Sequence, residues 1–162
     1  MNNSVSLSIR KKTEKKNKKS NKELCNIFNS LADAIIITDF KGNFLDVNQT
    51  ACARLGYSKE ELIQLGSMDI ESKEYFSQYK LKDILMKVKT EENCIIESTH
   101  ETKDGRIIPV ELRIKIIDYN ENKAILIISR DITERKEAER LIIEENKKLV
   151  ELEKMRKEII TR

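Results

Sequence analysis

Lys123-Ala-Ile-Leu-Ile-Ile-Ser-Arg-Asp-Ile-Thr133 is the stretch on which the reading of this chain turns. Its five successive apolar residues, Ala124 to Ile128, are too few to span a bilayer and are rich in β-branched isoleucine, so they read as a strand buried on both faces. After Arg130 the period changes. From Glu134 to Arg162 there is no Gly or Pro, charges of both signs alternate, and apolar residues fall three and four apart, which is a helical pattern. Asp131 lies three residues before Glu134, so a variant of the capping box is expected, with Asp131 accepting from the first free amides and Glu134 reaching back. Asp131, Thr133 and Glu134 thus form the junction through which a change in the core would reach the helix.

Outward from this corner, charge divides the 162 residues into three zones. Residues 1–22 hold eight Lys or Arg against the single Glu14, and residues 133–162 hold nine basic against eight acidic. With a net charge of +3 for the whole chain, the 110 residues between carry −5, so the basic balance belongs to one tail. Residues 1–21 are expected to be a disordered basic tail, too polar to bury enough surface to offset ordering entropy. A solvated tail is the simpler reading; an electrostatic arm for nucleic acid or anionic lipid is the alternative, without aromatics for stacking on bases. Cys25, Cys52 and Cys94 are odd in number and lack Cys-x-x-Cys spacing, which points to reduced thiols in a cytoplasmic chain. No apolar run reaches the length of a membrane span, and the first thirty residues have no signal-peptide core.

Between the tail and the corner, the pattern predicts an α+β fold. Asn21 is expected to cap a helix carrying Leu24, Ile27, Phe28 and Leu31. Ala34–Asp39 and Phe44–Val47 read as a hairpin about a Phe40-Lys41-Gly42-Asn43 turn. Asn48 should start a helix ending at Gly56, and Ser58 with Glu61 a capping box. Residues 72–90 read as a longer helix, with Phe76, Tyr79, Ile84, Leu85 and Val88 roughly on one side. Cys94–Lys103 alternates, Asp104-Gly105 is a turn, and Ile108, Val110, Leu112, Ile114 and Ile116 share one face of a strand. Pro109 lacks an amide donor and should lie near that strand's start or at a bulge.

Several runs in this order resemble a PAS sensor domain: Asp39-Phe-Lys-Gly-Asn-Phe-Leu-Asp-Val-Asn48, Ala51, Leu55-Gly-Tyr-Ser58, Glu60-Glu-Leu62, Lys103-Asp-Gly105 and Asp131-Ile-Thr133. The resemblance covers residues 22–132 as a domain, followed by a coiled-coil signalling helix over 133–162. It implies a five-stranded antiparallel sheet in order 2-1-5-4-3, with the helices on one face around a small cavity. That order makes the last strand central, where an apolar run belongs.

No enzyme constellation is present. Gly42, Gly56, Gly66 and Gly105 are scattered, so there is no phosphate-cradling loop, and one histidine cannot form a His-based metal cluster. The chain is read as non-enzymatic. Met68, Phe76, Ile96, His100, Leu112 and Ile127 are the candidate lining of a ligand cavity; equally, they fill a sheet core. His100 shares a face with Cys94, Ile96 and Ser98 and is either a cavity-facing donor or a half-buried, hydrogen-bonded histidine. The resemblance implies an axial histidine on the longer helix for haem, and a Cys in an Asn-Cys-Arg-Phe-Leu motif for flavin photochemistry. Residues 72–90 hold no His and Leu65-Gly-Ser-Met-Asp69 holds no Cys, so haem and flavin are not expected; any other cofactor is left open.

Along the last helix Ala138, Ile142, Leu149, Leu152 and Ile159 fit a heptad that Glu145 and Arg156 interrupt, while Leu141 and Met155 suggest a shifted register. A single helix cannot bury this stripe. Its simplest partner is the same helix of a second chain in a parallel dimer, with Ile142, Leu149, Leu152 and Ile159 at the seam; an amphipathic helix folded back on its own domain is the alternative. The ending Leu152-Glu-Lys-Met-Arg-Lys-Glu-Ile159 resembles the segment leading into the phosphoacceptor helix of sensor histidine kinases. The sequence therefore reads as a sensory and dimerisation module, the input region of a two-component sensor kinase without its catalytic domains. The rival reading is a small-ligand sensor or a transcription-associated regulator using the basic tail.

Overall fold

The computed structural model describes residues 2–72, 81–90 and 94–160. Helix α1 (Asn2–Ser30) leads to strand β1 (Ala34–Thr38) and strand β2 (Phe44–Val47). Three short helices follow, α2 (Gln49–Leu55), α3 (Lys59–Ile63) and α4 (Ser67–Ile70), then α5 (Leu81–Thr90). The chain continues through β3 (Cys94–Glu101), β4 (Ile107–Tyr119) and β5 (Asn122–Asp131) into α6 (Thr133–Ile160). The five strands form one antiparallel sheet in the order β2-β1-β5-β4-β3. β5 is central, paired along Ile125–Ser129 with both β1 and β4.

Local signals act where they stand in the sequence. The Asn48 side chain accepts from the Ala51 amide at 2.9 Å and caps α2, and Gly56 at φ 77° ends it. Ser58 and Glu61 form the capping box of α3. Asn120 and Glu121 take φ values of 48° and 64°, the two left-handed residues that a tight turn between β4 and β5 requires. Pro109 is the third residue of β4, where its carbonyl accepts from the Ile132 amide at 3.0 Å.

Asn48 does more than cap. It is completely buried, and its Oδ1 also accepts from Ile35 N at 2.9 Å while its Nδ2 donates to the carbonyls of Phe28 and Asp33, each at 3.1 Å. One amide thus fixes the end of α1, the start of β1 and the start of α2.

Two expectations differ from the structure. Helix α1 is continuous through Asn21 from Asn2, in place of a disordered tail over residues 1–21 and a helix capped at Asn21. That stretch contains neither Gly nor Pro, so nothing in it interrupts a helix propagating back from the Leu24 region. The central strand is not buried on both faces either. Ala124, Ile125 and Ser129 are buried, but Leu126, Ile127 and Ile128 are only partly so. The helices α2 to α5 pack on the face that carries Ile125 and Ile127, and Leu126 and Ile128 lie on the opposite, open face. Of the helix expected over 72–90, Leu81–Thr90 is observed, and Phe76 and Tyr79 lie outside the described residues.

The covered face holds two adjoining cores. One gathers Ile36, Phe44, Val47, Leu55, Leu62 and Ile70. The other gathers Val88, Ile96, Val110, Leu112, Ile114 and Ile125, and Ile127 packs against both. Replacing Asn48 by Ala leaves two buried amides and two carbonyls without their partner. Urea denaturation should report a loss on the order of 3 kcal/mol, well above the ~1 kcal/mol of an ordinary helix cap.

Candidate functional site

A small cavity of about 40 Å³ lies where the two cores meet. Its sheet wall is Thr38 from β1, Leu112 and Ile114 from β4, and Ile125 and Ile127 from β5. Ile84, Leu85 and Val88 of α5 close it, and Gly42, Ser67 and Glu71 form the remaining side. The local sequence places that last group. Gly42 takes φ 89°, a conformation that a side chain would disfavour, and its carbonyl accepts the Ser67 amide at 2.8 Å. Gly66 approaches so closely that a Cβ there would stand 3.0 Å from the Gly42 oxygen. Two glycines therefore let the β1–β2 turn touch α4 and bring Ser67 and Glu71 to the cavity.

Of the six residues named from sequence, Leu112 and Ile127 line the cavity. Ile96 is buried in the neighbouring core, in the same row of the sheet as Leu112 and Ser129. His100 is buried farther along β3, opposite Ile108, and bridges to Glu71 through an isolated antiparallel backbone pair. Met68 is 57% exposed, because the buried residue of α4 is Ile70, which two positions of helical rotation place on the opposite side. Phe76 lies outside the described residues. Thr38, Ser67 and Glu71 were not read as lining residues. Thr38 was legible in principle, since period two puts it on the face of Ala34 and Ile36; Ser67 and Glu71 required the turn contact.

The two ionisable groups here are shifted in opposite directions. Burial pushes the Glu71 carboxyl up to about 7. Burial, and then the positive charge of Arg54, pushes His100 down to about 4, so it is neutral at physiological pH. Arg54 reaches inward from α2 to donate to the carbonyl of Ser129 at 2.7 Å and to that of Ala32 at 3.1 Å.

The junction differs in detail from the expected capping box. Asp131 is the last residue of β5, and its Oδ1 accepts from the Thr133 amide at 2.9 Å and from the Thr133 hydroxyl at 2.6 Å. Ile132 is buried, and its carbonyl accepts the first helical bond from Lys136 at 2.9 Å. The carboxylate therefore makes a tight local turn one residue upstream of the helix, and exposed Glu134 does not complete a box with it. What holds α6 is a charge network on the open face. Arg135 donates to Glu97 at 2.5 Å and to Glu111 at 3.3 Å, and Lys136 lies 2.5 Å from Glu97. The Lys136 hydrogen bond holds the Glu97 carboxyl below its ordinary range. Beyond this first turn no residue of α6 is buried: Ile142, Leu149, Leu152 and Ile159 are all more than half exposed. Arg130 pairs with Asp33 at 2.9 Å, bringing the end of β5 beside the entry from α1.

Among the described residues there is no cluster of metal ligands, no disulfide joins the cysteines, and no helix is long and apolar enough to cross a membrane. A sheet in this order, with a cavity under its helices and a long helix leaving its central strand, defines a sensor-type domain. The family model described as PAS domain matches residues 32–134, and the chain belongs to the PAS domain family. It is 39% identical over 123 residues to a protein of Methanosarcina acetivorans named methyl sulfide methyltransferase-associated sensor. That alignment covers 75% of this chain but 12% of the relative. The PAS domain of an HTR-like protein from Haloarcula marismortui superimposes with a TM-score of 0.65 at 26% identity, over 75% of this chain and 99% of the other. A domain of a sensory box sensor histidine kinase/response regulator from Geobacter sulfurreducens gives 0.56 at 29% identity, over 70% and 94%.

The shifts set a pH dependence. Glu71 binds its proton more tightly when folded, so its contribution to stability is complete below the unfolded value near 4.5 and is lost as pH rises through 7. His100 binds its proton more weakly when folded, so its contribution is present above about 6.5 and is lost as pH falls toward 4. Glu71→Gln should therefore gain stability over the unsubstituted chain on going from pH 5 to pH 8, by on the order of 2 kcal/mol in paired urea titrations. Parallel titration curves would place Glu71 in solvent.

Proposed function

We propose that this chain is the sensory and dimerisation module of a cytoplasmic signalling protein, serving as the input region of a two-component sensor histidine kinase. The observation that carries this reading is α6. Its first turn is tied to the sheet by Arg135 and Lys136, and its apolar residues beyond that turn are exposed, Ile142, Leu149, Leu152 and Ile159 each by more than half. An isolated helix of that composition is marginal in water, whereas a second copy buries the stripe of Ile142, Leu149, Leu152 and Ile159 as a coiled coil. The likeness to a domain of a sensor histidine kinase/response regulator supports the same assignment.

In this reading the chain transmits and does not catalyse. A change at the cavity shifts β5, whose residues Ile125 and Ile127 form part of its wall. Five residues beyond Ile127 the strand ends in the Asp131–Thr133 turn, and α6 carries the displacement to phosphoacceptor and ATP-binding domains supplied by another segment or another chain. Glu97 sets the angle at which the helix leaves.

Light scattering at tens of micromolar should give a dimer, and Ile142→Asp combined with Leu149→Asp should give a monomer with an unchanged β-sheet signal in circular dichroism. A monomeric parent chain would remove the coil and the mechanism together. Fused through α6 to the catalytic domains of a histidine kinase, the chain should regulate autophosphorylation. Glu97→Lys should change that activity several-fold by replacing attraction to Arg135 and Lys136 with repulsion. Activity indifferent to this substitution would place the control elsewhere.

A further inference from the structure

Helix α1 gathers its lysines on one side. At about 100° per residue, an arc of roughly 160° takes in Lys15, Lys16, Lys18, Lys19 and Lys22, all of them exposed. Positions 11 and 12, also lysine, fall in the same arc by helical register. The opposite side of the same turns is neutral: positions 13, 17, 20 and 21 there are Thr, Asn, Ser and Asn, and the remaining two, Arg10 and Glu14, offset each other in charge. Glu23, near the edge of the arc, lies 4.0 Å from Lys19. The segregation exists because the segment is helical; an irregular chain of the same sequence would spread these charges in every direction. From position 11 to position 22 the lysine ridge is about 17 Å long. Lysines three and four positions apart repel one another along it, which opposes the helix until an anionic partner meets the ridge.

We infer that α1 lays this lysine ridge along the phosphates of double-stranded DNA, without sequence preference. Duplex phosphates recur every ~1.7 Å of axis, so a straight ridge of this length meets several at once and releases their counterions. The major groove of B-DNA, about 12 Å wide, admits an α-helix, whereas the deep, narrow groove of duplex RNA does not. Single strands are held by stacking on aromatic side chains, and residues 1–22 contain none. A helix lying in a membrane surface carries an apolar face opposite its basic one, and here that side is Thr, Asn and Ser. Lysine meets a phosphate as a point charge and lacks the planar fork of arginine, which suits the ridge to backbone contact and not to reading bases. Residues 23–132 carry −5, so the folded domain is repelled by the duplex and contact is confined to α1. The inference goes beyond the sensory reading and does not rest on it.

Fluorescence anisotropy of labelled DNA duplexes of about 20 base pairs, long enough to carry the whole ridge, tests the inference with the full chain. Two duplexes of unrelated sequence are compared with a single strand, a duplex RNA, and vesicles of phosphatidylcholine containing phosphatidylserine. The expected result is saturable binding of both DNA duplexes alike, micromolar or tighter at ~50 mM NaCl, with log K falling against log[NaCl] at a slope of about −4 to −6. Lys15→Gln, Lys18→Gln and Lys22→Gln together should weaken binding roughly tenfold or more and flatten that slope by about 3. A rearranged chain separates the ridge from net charge: Lys15→Asn and Lys22→Asn are balanced by Asn17→Lys and Asn21→Lys on the opposite side. It should bind several-fold more weakly with unchanged helical content in circular dichroism. The inference is overturned by an absence of saturable duplex binding at low salt, or by equal or tighter binding of the single strand, the duplex RNA or the vesicles. Undiminished affinity in the rearranged chain would likewise overturn it, by making net charge alone the determinant.

Discussion

The hydrogen bonding of β5 on both of its edges is the constraint on which this domain depends. Residues 125–129 pair with β1 on one side and β4 on the other, so the strand cannot shift without disturbing the pairing of the whole sheet. Its covered face forms the seam between two hydrophobic cores, with Ile127 in contact with both. Its far end runs straight into α6. Cavity, core and C-terminal helix therefore share a single segment of backbone, and a distortion at Ile125 or Ile127 has a short, stiff path to α6.

The helices entering and leaving the domain meet at the same end of the sheet. Asn48 holds the exit of α1 through the Phe28 and Asp33 carbonyls, and Arg130, the penultimate residue of β5, grips the Asp33 carboxylate. Arg54 ties Ala32 to Ser129 across the same corner. These contacts differ in kind. The buried amide of Asn48 is satisfied at every position and serves as a fixed point, whereas the Arg130–Asp33 and Arg135–Glu97 pairs are exposed and individually worth little. A domain built this way keeps its core rigid and leaves the attachment of its helices adjustable.

Glu71 and His100 show how an apolar interior shapes titration. They lie on neighbouring segments joined by one backbone bridge, and desolvation drives each toward its neutral form, the acid upward and the imidazole downward. Each would be stabilised in its charged form by a partner of opposite sign, and the described cavity offers Glu71 none.

Much of the fold was legible from local chemistry. The alternation of Ile108 to Ile116, the Asn48, Gly56 and Ser58–Glu61 caps and the apolar run at Ala124–Ile128 each depend on neighbours within a few positions, and each formed where the pattern placed it. Period two likewise put Leu112 on the covered face. Other features were not legible because they are long-range. Glu71 and Ser67 reach the cavity only because Gly42 and Gly66 let a turn and a short helix touch. Met68 left it because four residues of helix can bury only one side. Glu97 became the anchor of α6 through partners 38 and 39 positions away, and the expected Asp131–Glu134 box gave way to an Asp131–Thr133 turn once Ile132 was drawn into the core. The sequence by itself determined which segments are strands and helices and which faces are apolar, because those follow from side-chain periodicity. The tertiary structure alone decided where the cavity lies, which carboxylate lines it and how the C-terminal helix is fastened, because these depend on groups that only chain packing brings within a few ångströms.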